Sequence, residues 1–393
     1  MSASFPMVQL GNLLQHRSDF IEIDDFASYK RCRVQLHAQG IVERDAVQGA
    51  ELKIKKQQVC RTNEFLVAEI DAKLGGFGIV PESLDGAIVS SHYFLFTIDG
   101  SALDHRFLNF YIRTPAFMEQ VRAKGTTNYA AIRPKDVLQY EIPLPLPEEQ
   151  RRIVARIEEL ASKIEEARRL RQKVEAEAEA LLSSMFTAAY NEARKFVGKL
   201  ERLDDLCLTI TDGTHVTPTY VSEGIPFLSV KDITTGQIRF DEAKFISPEE
   251  HVLLTKRCKP ERDDVLLTKV GTTGFAKAID VDREFSIFVS LALLKLDKRR
   301  LHPKYTEYML NSSQIRKHSE EGTRGVGNKN LVLKFIKEFP IPAPPLPEQK
   351  RIVAYLDNLQ AQADRLKHTQ SETSAELDAL LPSILDKAFK GEL

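Results

Sequence analysis

Two stretches of the chain place apolar residues at alternating four- and three-residue spacing. In the first, Ile153, Ile157, Leu160, Ile164, Ala167, Arg171, Val174, Ala178, Leu181 and Met185 form a seam with nine apolar members of ten. In the second, Ile352, Leu356, Leu359, Ala363, Leu366, Gln370, Thr373, Leu377, Leu380 and Ile384 contain eight. A heptad rhythm held for more than four heptads predicts coiled-coil helices rather than ordinary surface helices. About 40 residues at 1.5 Å each make a rod of roughly 60 Å. Arg171 and Gln370 interrupt the seams at equivalent places, either fixing register or marking a solvated break. Pro382 is expected to kink the last turns of the second helix. Neither rod can bury its stripe alone, so the two are expected to pair with each other.

Elsewhere the pattern is shorter. Runs rich in Val, Ile, Phe and Leu at 64–70, 87–98, 264–270 and 285–296 read as strands. Segments 104–124 and 303–318 read as amphipathic helices. The mixture predicts an α+β chain with largely antiparallel or mixed sheets.

An internal repeat organises these elements. Residues 142–191 align without a gap onto 341–390 at a constant offset of 199, with 17 identities in 50 positions. Roughly three would arise by chance, so the repeat is real. The period is too long for a solenoid. Each repeat therefore holds a globular part and a connector: 1–141, then a Pro-turn and helix over 142–198, then 199–340, then a Pro-turn and helix over 341–393. Pro147 and Pro347 mark the helix starts, and Glu148, Glu149 and Glu348 suit the positive end of the helix dipole. The globular parts resemble each other weakly, through Tyr140 and Phe339 before an Ile-Pro and through Gly76-Phe77 and Gly274-Phe275.

Composition narrows the classes. The 393 residues carry 55 basic and 56 acidic side chains and are 42% hydrophobic, which excludes a disordered tail or a uniformly basic nucleic-acid binder. No apolar run approaches a membrane span, and residues 1–14 show no secretory pattern. Cys32, Cys60, Cys207 and Cys258 form no CxxC pair, which fits a reducing cytoplasm rather than a disulfide framework or a zinc site.

Local charge says more than the total. Residues 295–337 hold eleven basic and four acidic residues, 106–135 six and one, and 30–61 eight and three. The first two patches lie just upstream of the Pro-turns and contain glycine-bearing polar loops. Lys124, Thr126, Thr127, Asn128 and Tyr129 lie on one; Arg324, Asn328 and Lys329 lie on the other. Such side chains suit phosphate contact and base-edge hydrogen bonding. Lys269, Thr272 and Thr273 before Gly274 form a third candidate, with Lys73 before Gly75-Gly76 as its counterpart. Thr214 and His215, in Asp212-Gly213-Thr214-His215, and Lys231 complete the set. Each loop taken singly also reads as a solvated turn; parallel placement in the two repeats favours the binding reading.

Catalytic signatures are missing. The sole Gly-Lys, Gly198-Lys199, is followed by Leu200, so no phosphate loop exists, and Leu74 to Gly78 lacks the dinucleotide-binding spacing. The sole Pro-Pro follows Ala343, so the Asp/Asn-Pro-Pro-aromatic loop of amino-methyltransferases is absent, and the histidines show no metal-ligand spacing. Asp45 with Glu51 and Lys53 mimics a nuclease carboxylate set, a short pattern that recurs by chance.

LPEEQRRIV from Leu146 and LPEQKRIV from Leu346, each opening a long helix, resemble the specificity (S) subunit of type I restriction–modification systems. So do Asp212 to His215, the run from Ile225 to Leu228, Asp264 to Lys269, and the first-repeat segments 70–73 and 78–81. The resemblance covers the whole chain. It implies a non-catalytic, DNA-binding subunit with an internal pseudo-two-fold repeat. Two target recognition domains each read half of a bipartite, asymmetric double-stranded DNA site. The long helices pair antiparallel as a coiled coil, set the spacing and dock two methyltransferase (M) subunits. Two restriction (R) subunits complete a cytoplasmic defence against foreign DNA. S-adenosylmethionine, ATP and Mg are implied for those partners, with no cofactor or metal in this chain. The rival readings are a coiled-coil adaptor without DNA reading and an unrecognised DNA-modifying enzyme.

Overall fold

A computed structural model of the chain describes residues 5–123, 131–234, 236–325 and 329–393. The chain forms two compact units, Met1–Leu170 with Glu372–Leu393, and Arg171–Ser371. The divide falls inside the long helices, so each unit is built from non-contiguous parts of the connectors.

Unit 1 centres on an antiparallel four-stranded sheet in the order Leu14–Arg17, Tyr93–Ile98, Phe65–Ala68, Phe77–Ile79. Alternate residues of its inner strands enter different cores, as the two-residue pleat requires. Phe65 and Val67 join the helix-side core, whereas Leu66 joins Cys32, Val89 and Leu95 beneath a second sheet. Because both faces are covered, these strands read as continuous apolar runs. The second sheet has five strands, in the order Phe20–Glu22, Lys56–Val59, Ile88–Val89, Ser28–Gln35, Gly40–Gln48.

Unit 2 repeats the central sheet in the same order: Cys207–Asp212, Leu291–Leu296, Val265–Thr268, Ala276–Ala278. Its second sheet is smaller, Lys244–Ile246, Ile225–Leu228 and Ser286–Ile287, flanked by a helix at Pro248–Thr255.

The two frameworks share a turn and its backbone bonds. Asn63 and Asp263 both take a left-handed backbone, at φ 67° and 72°. Each donates its N–H across the sheet, to Val80 O and Ile279 O, both at 2.9 Å. Glu64 and Asp264 follow, and their carboxylates accept the N–H of Arg61 (2.9 Å) and Glu261 (3.0 Å). Asn and Asp tolerate this conformation better than most L-residues, so the turn has a local signature. Glu64 pairs with the buried Arg17 at 2.6 Å, and Asp264 with Lys295 at 2.8 Å.

The predicted single helices at 104–124 and 303–318 are each broken in two: His105–Tyr111 and Pro115–Ala123, Pro303–Leu310 and Ser313–Glu321. The break comes from hydroxyls that compete for backbone carbonyls. Thr114 Oγ1 donates to Tyr111 O at 2.7 Å, and Ser312 Oγ to Met309 O at 2.6 Å.

The glutamine of each Pro-turn motif explains why that motif recurs. Gln150 and Gln349 are fully buried. Gln150 accepts from Asp104 N at 2.9 Å and donates to Ala102 O (2.8 Å) and Pro145 O (2.9 Å). Gln349 accepts from His302 N at 2.8 Å and donates to Arg300 O and Pro344 O, both at 2.7 Å. One side chain thus latches the helix start to the loop before the domain's paired helices.

The first long helix spans Pro147–Val197; the second is Leu346–Glu372 followed by Ser374–Phe389. The interruption falls at Thr373, within a Ser-Glu-Thr-Ser run of mostly poor helix formers, and Pro382 is carried inside the last helix rather than ending it. Within unit 1, Arg168 pairs with Asp378 at 2.8 Å, and Arg152 donates to the Leu393 carbonyl at 3.1 Å. Within unit 2, Glu179 pairs with Lys367 at 2.7 Å, and Glu192 with Arg351 at 3.0 Å. In both units residue number rises on one helix as it falls on the other, so the local pairing is antiparallel.

Burial of the expected seam is uneven. Ile153, Ile157 and Ile164 are buried, as are Ile352 and Leu356, while Leu160, Leu359 and Leu377 are half-buried. Val174, Leu181, Leu366 and Leu380 are exposed, Leu181 at 61%. The correction has a simple cause. Near the helix ends the stripe joins a globular core, whereas Val174, Leu181, Leu366 and Leu380 belong to neither core among the described residues.

Candidate nucleic-acid interface

In unit 2, three sequence-flagged segments meet at the end of the central sheet. Gly213 permits the turn after Asp212, because a Cβ there would fall 2.1 Å from the Ile287 carbonyl oxygen. Thr214 then bridges to Phe288, and Val289 donates to Thr214 O at 2.9 Å. The Lys269–Gly274 loop packs beside the paired strands Thr323–Arg324 and Asn330–Leu331. Leu331 donates to Lys269 O at 2.7 Å, Gly271 to Lys329 O at 3.0 Å, and the Thr273 and Thr323 hydroxyls lie 3.2 Å apart.

The carboxylate of Asp212 sits at the centre. It is buried and accepts from Lys269 Nζ at 2.7 Å and from the Arg257 guanidinium, with His215 Nε2 3.3 Å away. Burial opposes its charge, but Lys269 and His215 hold the carboxyl below the ordinary aspartate range. Lys269 is therefore corrected from a surface contact to an internal partner: only 5% exposed, its ammonium faces Asp212 rather than solvent.

The remaining candidates lie outward. Thr272, His215, Arg324, Lys329 and Lys231 are exposed, and Thr214 and Thr273 are half-buried. Arg324 lies over the Phe335 ring at 5.8 Å, and Lys231 donates to Glu242 O at 3.1 Å. Asn328 lies outside the described residues, as do Lys124, Thr126, Thr127, Asn128 and Tyr129.

Unit 1 builds the same place differently. Glu69 donates and accepts the backbone bonds that Lys269 makes in unit 2: its N–H goes to His92 O (2.8 Å) and its carbonyl receives Ile132 N–H (3.0 Å). Lys269 N–H goes to Ser290 O at 2.9 Å. The counterpart of Lys269 is thus Glu69, not Lys73. Counted from the left-handed Gly75 and Gly274 (φ 80° and 81°), Lys73 falls opposite Thr272. Lys73 is half-buried in the turn Asp71–Leu74. The nearly buried Glu69 carboxylate holds Arg133 and, at 2.8 Å, His92 Nδ1.

Arg133, His92 and Arg257 escaped sequence reading, because nothing local distinguishes them from other surface cations. The nuclease-like Asp45 is held by Arg31 in a two-pronged ion pair at 2.5 and 2.6 Å. Among the described residues no group of three or more His, Cys, Asp or Glu is placed to hold a metal, and no helix is long and apolar enough to cross a membrane.

Comparison with known proteins places this architecture. The family model for the type I restriction modification DNA specificity domain matches residues 22–176 and 199–375. The type I restriction enzyme EcoBI specificity subunit of Escherichia coli is 24% identical over 309 residues, covering 72% of this chain and 65% of that protein. The EcoKI specificity subunit of Escherichia coli K12 is 24% identical over 284 residues, 68% of this chain and 60% of that protein. The chain thus spans less than two thirds of the length of these relatives. Among solved structures, a chain from work on complex assembly and conformational transition of the type I R-M system matches with a TM-score of 0.72 at 26% identity, covering 100% of this chain and 99% of that one. The HsdS subunit from Thermoanaerobacter tengcongensis matches with a TM-score of 0.57 at 26% identity, covering 100% and 98%. With two copies of its domain matched in sequence and its α+β fold matched in structure, the chain belongs to the family of type I restriction–modification specificity subunits.

Proposed function

We propose that this chain is the DNA-reading, non-catalytic subunit of a type I restriction–modification complex, each unit recognising one half of a bipartite, asymmetric double-stranded site. One observation carries the reading: the same framework occurs twice, each copy ends in a loop cluster with exposed cations, and the second sheets differ. Exposed Arg, Lys and His anchor phosphates and set orientation; Thr214, Thr272 and the glycine-bearing loops read base edges. Unlike second sheets imply unlike half-sites.

The long helices pair as an antiparallel coiled coil in a pseudo-two-fold arrangement and set the distance between halves. Their exposed apolar positions, Val174, Leu181, Leu366 and Leu380, supply a docking stripe for two methyltransferase subunits. Adenine methylation needs a flipped base and S-adenosylmethionine, and that pocket belongs to the methyltransferase partner. Two restriction subunits add ATP- and Mg-dependent cleavage, in the cytoplasm.

The test is co-expression with a methyltransferase subunit of the same system, followed by mapping methylated adenine in the host genome. A split motif with two unlike halves supports the reading, and exchanging residues 1–141 should then change one half only. A stable complex that adds no methylation would favour the adaptor reading.

A further inference from the structure

At the strand end where the two frameworks coincide, the buried charge is inverted: Glu69 in unit 1, Lys269 in unit 2. The surroundings compensate. In unit 1 the carboxylate of Glu69 itself gathers one arginine and one histidine, Arg133 and His92, whose side chains are 58% and 70% exposed. In unit 2 the carboxylate comes instead from Asp212, and it too gathers one arginine and one histidine, Arg257 and His215, 55% and 61% exposed. Two unrelated sets of residues thus converge on one device. An internal carboxylate with side-chain exposure of 11% or 3% holds an Arg–His couple at the surface, beside the loops that follow the strand.

We infer, building on the DNA-reading function above, that Glu69 and Asp212 are positioning residues and that the couples Arg133–His92 and Arg257–His215 contact the DNA backbone of their respective half-sites. The physical case is one of donors. A guanidinium has five N–H groups, and a carboxylate that engages one side leaves the others aimed outward with less freedom to lose on binding. The carboxylates reach no phosphate themselves. They act through the cations they orient, and their burial keeps their negative charge from facing the nucleic acid.

The two clusters also differ in charge. Glu69 neutralises Arg133 within its own cluster, whereas Lys269 already neutralises Asp212, leaving Arg257 as surplus positive charge.

The test uses the complex of the full chain with its methyltransferase subunits, bound to duplexes carrying the mapped site with both halves, or with either half scrambled. Arg133→Gln and Arg257→Gln should each weaken binding by about 5- to 20-fold and reduce the slope of log K against log salt by about 1, the loss of one phosphate contact. Each loss should vanish when the matching half is scrambled and persist when the other is. Glu69→Gln should reproduce most of the Arg133→Gln loss, and the double variant should be no worse than Arg133→Gln alone, as a residue acting only through another requires. Because Asp212→Asn leaves Lys269 buried without its partner and threatens folding, Arg257→Gln is the deciding variant for unit 2.

Unchanged affinity and salt slope for both arginine variants would overturn the inference, as would losses that ignore which half is intact. Additive losses for Glu69→Gln and Arg133→Gln would remove the positioning role. Failure of the unaltered complex to bind the duplex would instead sink the DNA-reading function.

Discussion

The two central sheets and the two outer sheets of this molecule obey different rules. Each central sheet has the same four-strand order, the same left-handed residue before a buried carboxylate and the same glutamine latch, although few of the residues around them are identical. The outer sheets share neither strand number nor topology, five strands against three plus a helix. Where backbone groups must be satisfied out of reach of water, few solutions exist, and both repeats keep the same one. Where a surface has only to present side chains, the backbone is free to differ. Diverging recognition on a constant frame is what this division permits.

The comparison is broken most directly at the buried ion pairs of the frame. Arg17→Ala strands the carboxylate of Glu64 in the core and should cost about 3–5 kcal/mol of unit 1 stability. Lys295→Ala, whose partner Asp264 retains a route to solvent through a part-exposed lysine, should cost distinctly less. Urea unfolding of the two variants reads the difference; equal losses would mean that the two frames are not graded by burial. Next in size, Gln150→Ala and Gln349→Ala each leave a part-buried N–H and two carbonyls without the glutamine partner and should cost about 1–3 kcal/mol apiece. Unequal values would show that the latch matters in one repeat only.

A smaller effect is expected in acid. Glu261, held by Lys259 and Lys295, has its carboxyl lowered from 4.5 to about 2. Its folded value lies below its unfolded one, so its stabilisation is complete above pH 4.5 and disappears as pH falls through about 2. Glu261→Gln should therefore lower unit 2 stability modestly at neutral pH and flatten the acid limb, with variant and parent converging as pH falls to about 2. The smallest change is expected at Leu181→Ser. That side chain is 61% exposed, so stability should move by less than about 0.5 kcal/mol. Capture of methyltransferase subunits should fall in the same variant, and unchanged capture would take Leu181 off the docking stripe.

Much of this was legible in residue order. The heptad spacing, the Pro-turns and the offset of 199 mark both long helices and the doubled plan, because local sterics and stripe formation need only near neighbours. The loops of unit 2 were flagged one by one, and the fold brings three of them together. Three things were not legible. The seam is buried at the ends and exposed at Leu181 and Leu380, since cover depends on what else packs nearby. Lys269 is an internal counter-ion, because Asp212, its partner, lies 57 positions away. The glutamines recur visibly in both motifs, yet their role depends on backbone N–H and carbonyl groups 46 to 49 positions distant.

By itself, then, the sequence determined where the two long helical stretches lie, that the plan is doubled and that polar loops carry positive charge, all properties set by composition and short-range spacing. Only the tertiary structure decided which charges are internal and which face outward. The energy of an ion depends on its distance to counter-charge and to water, and both are fixed by chain segments far apart in sequence.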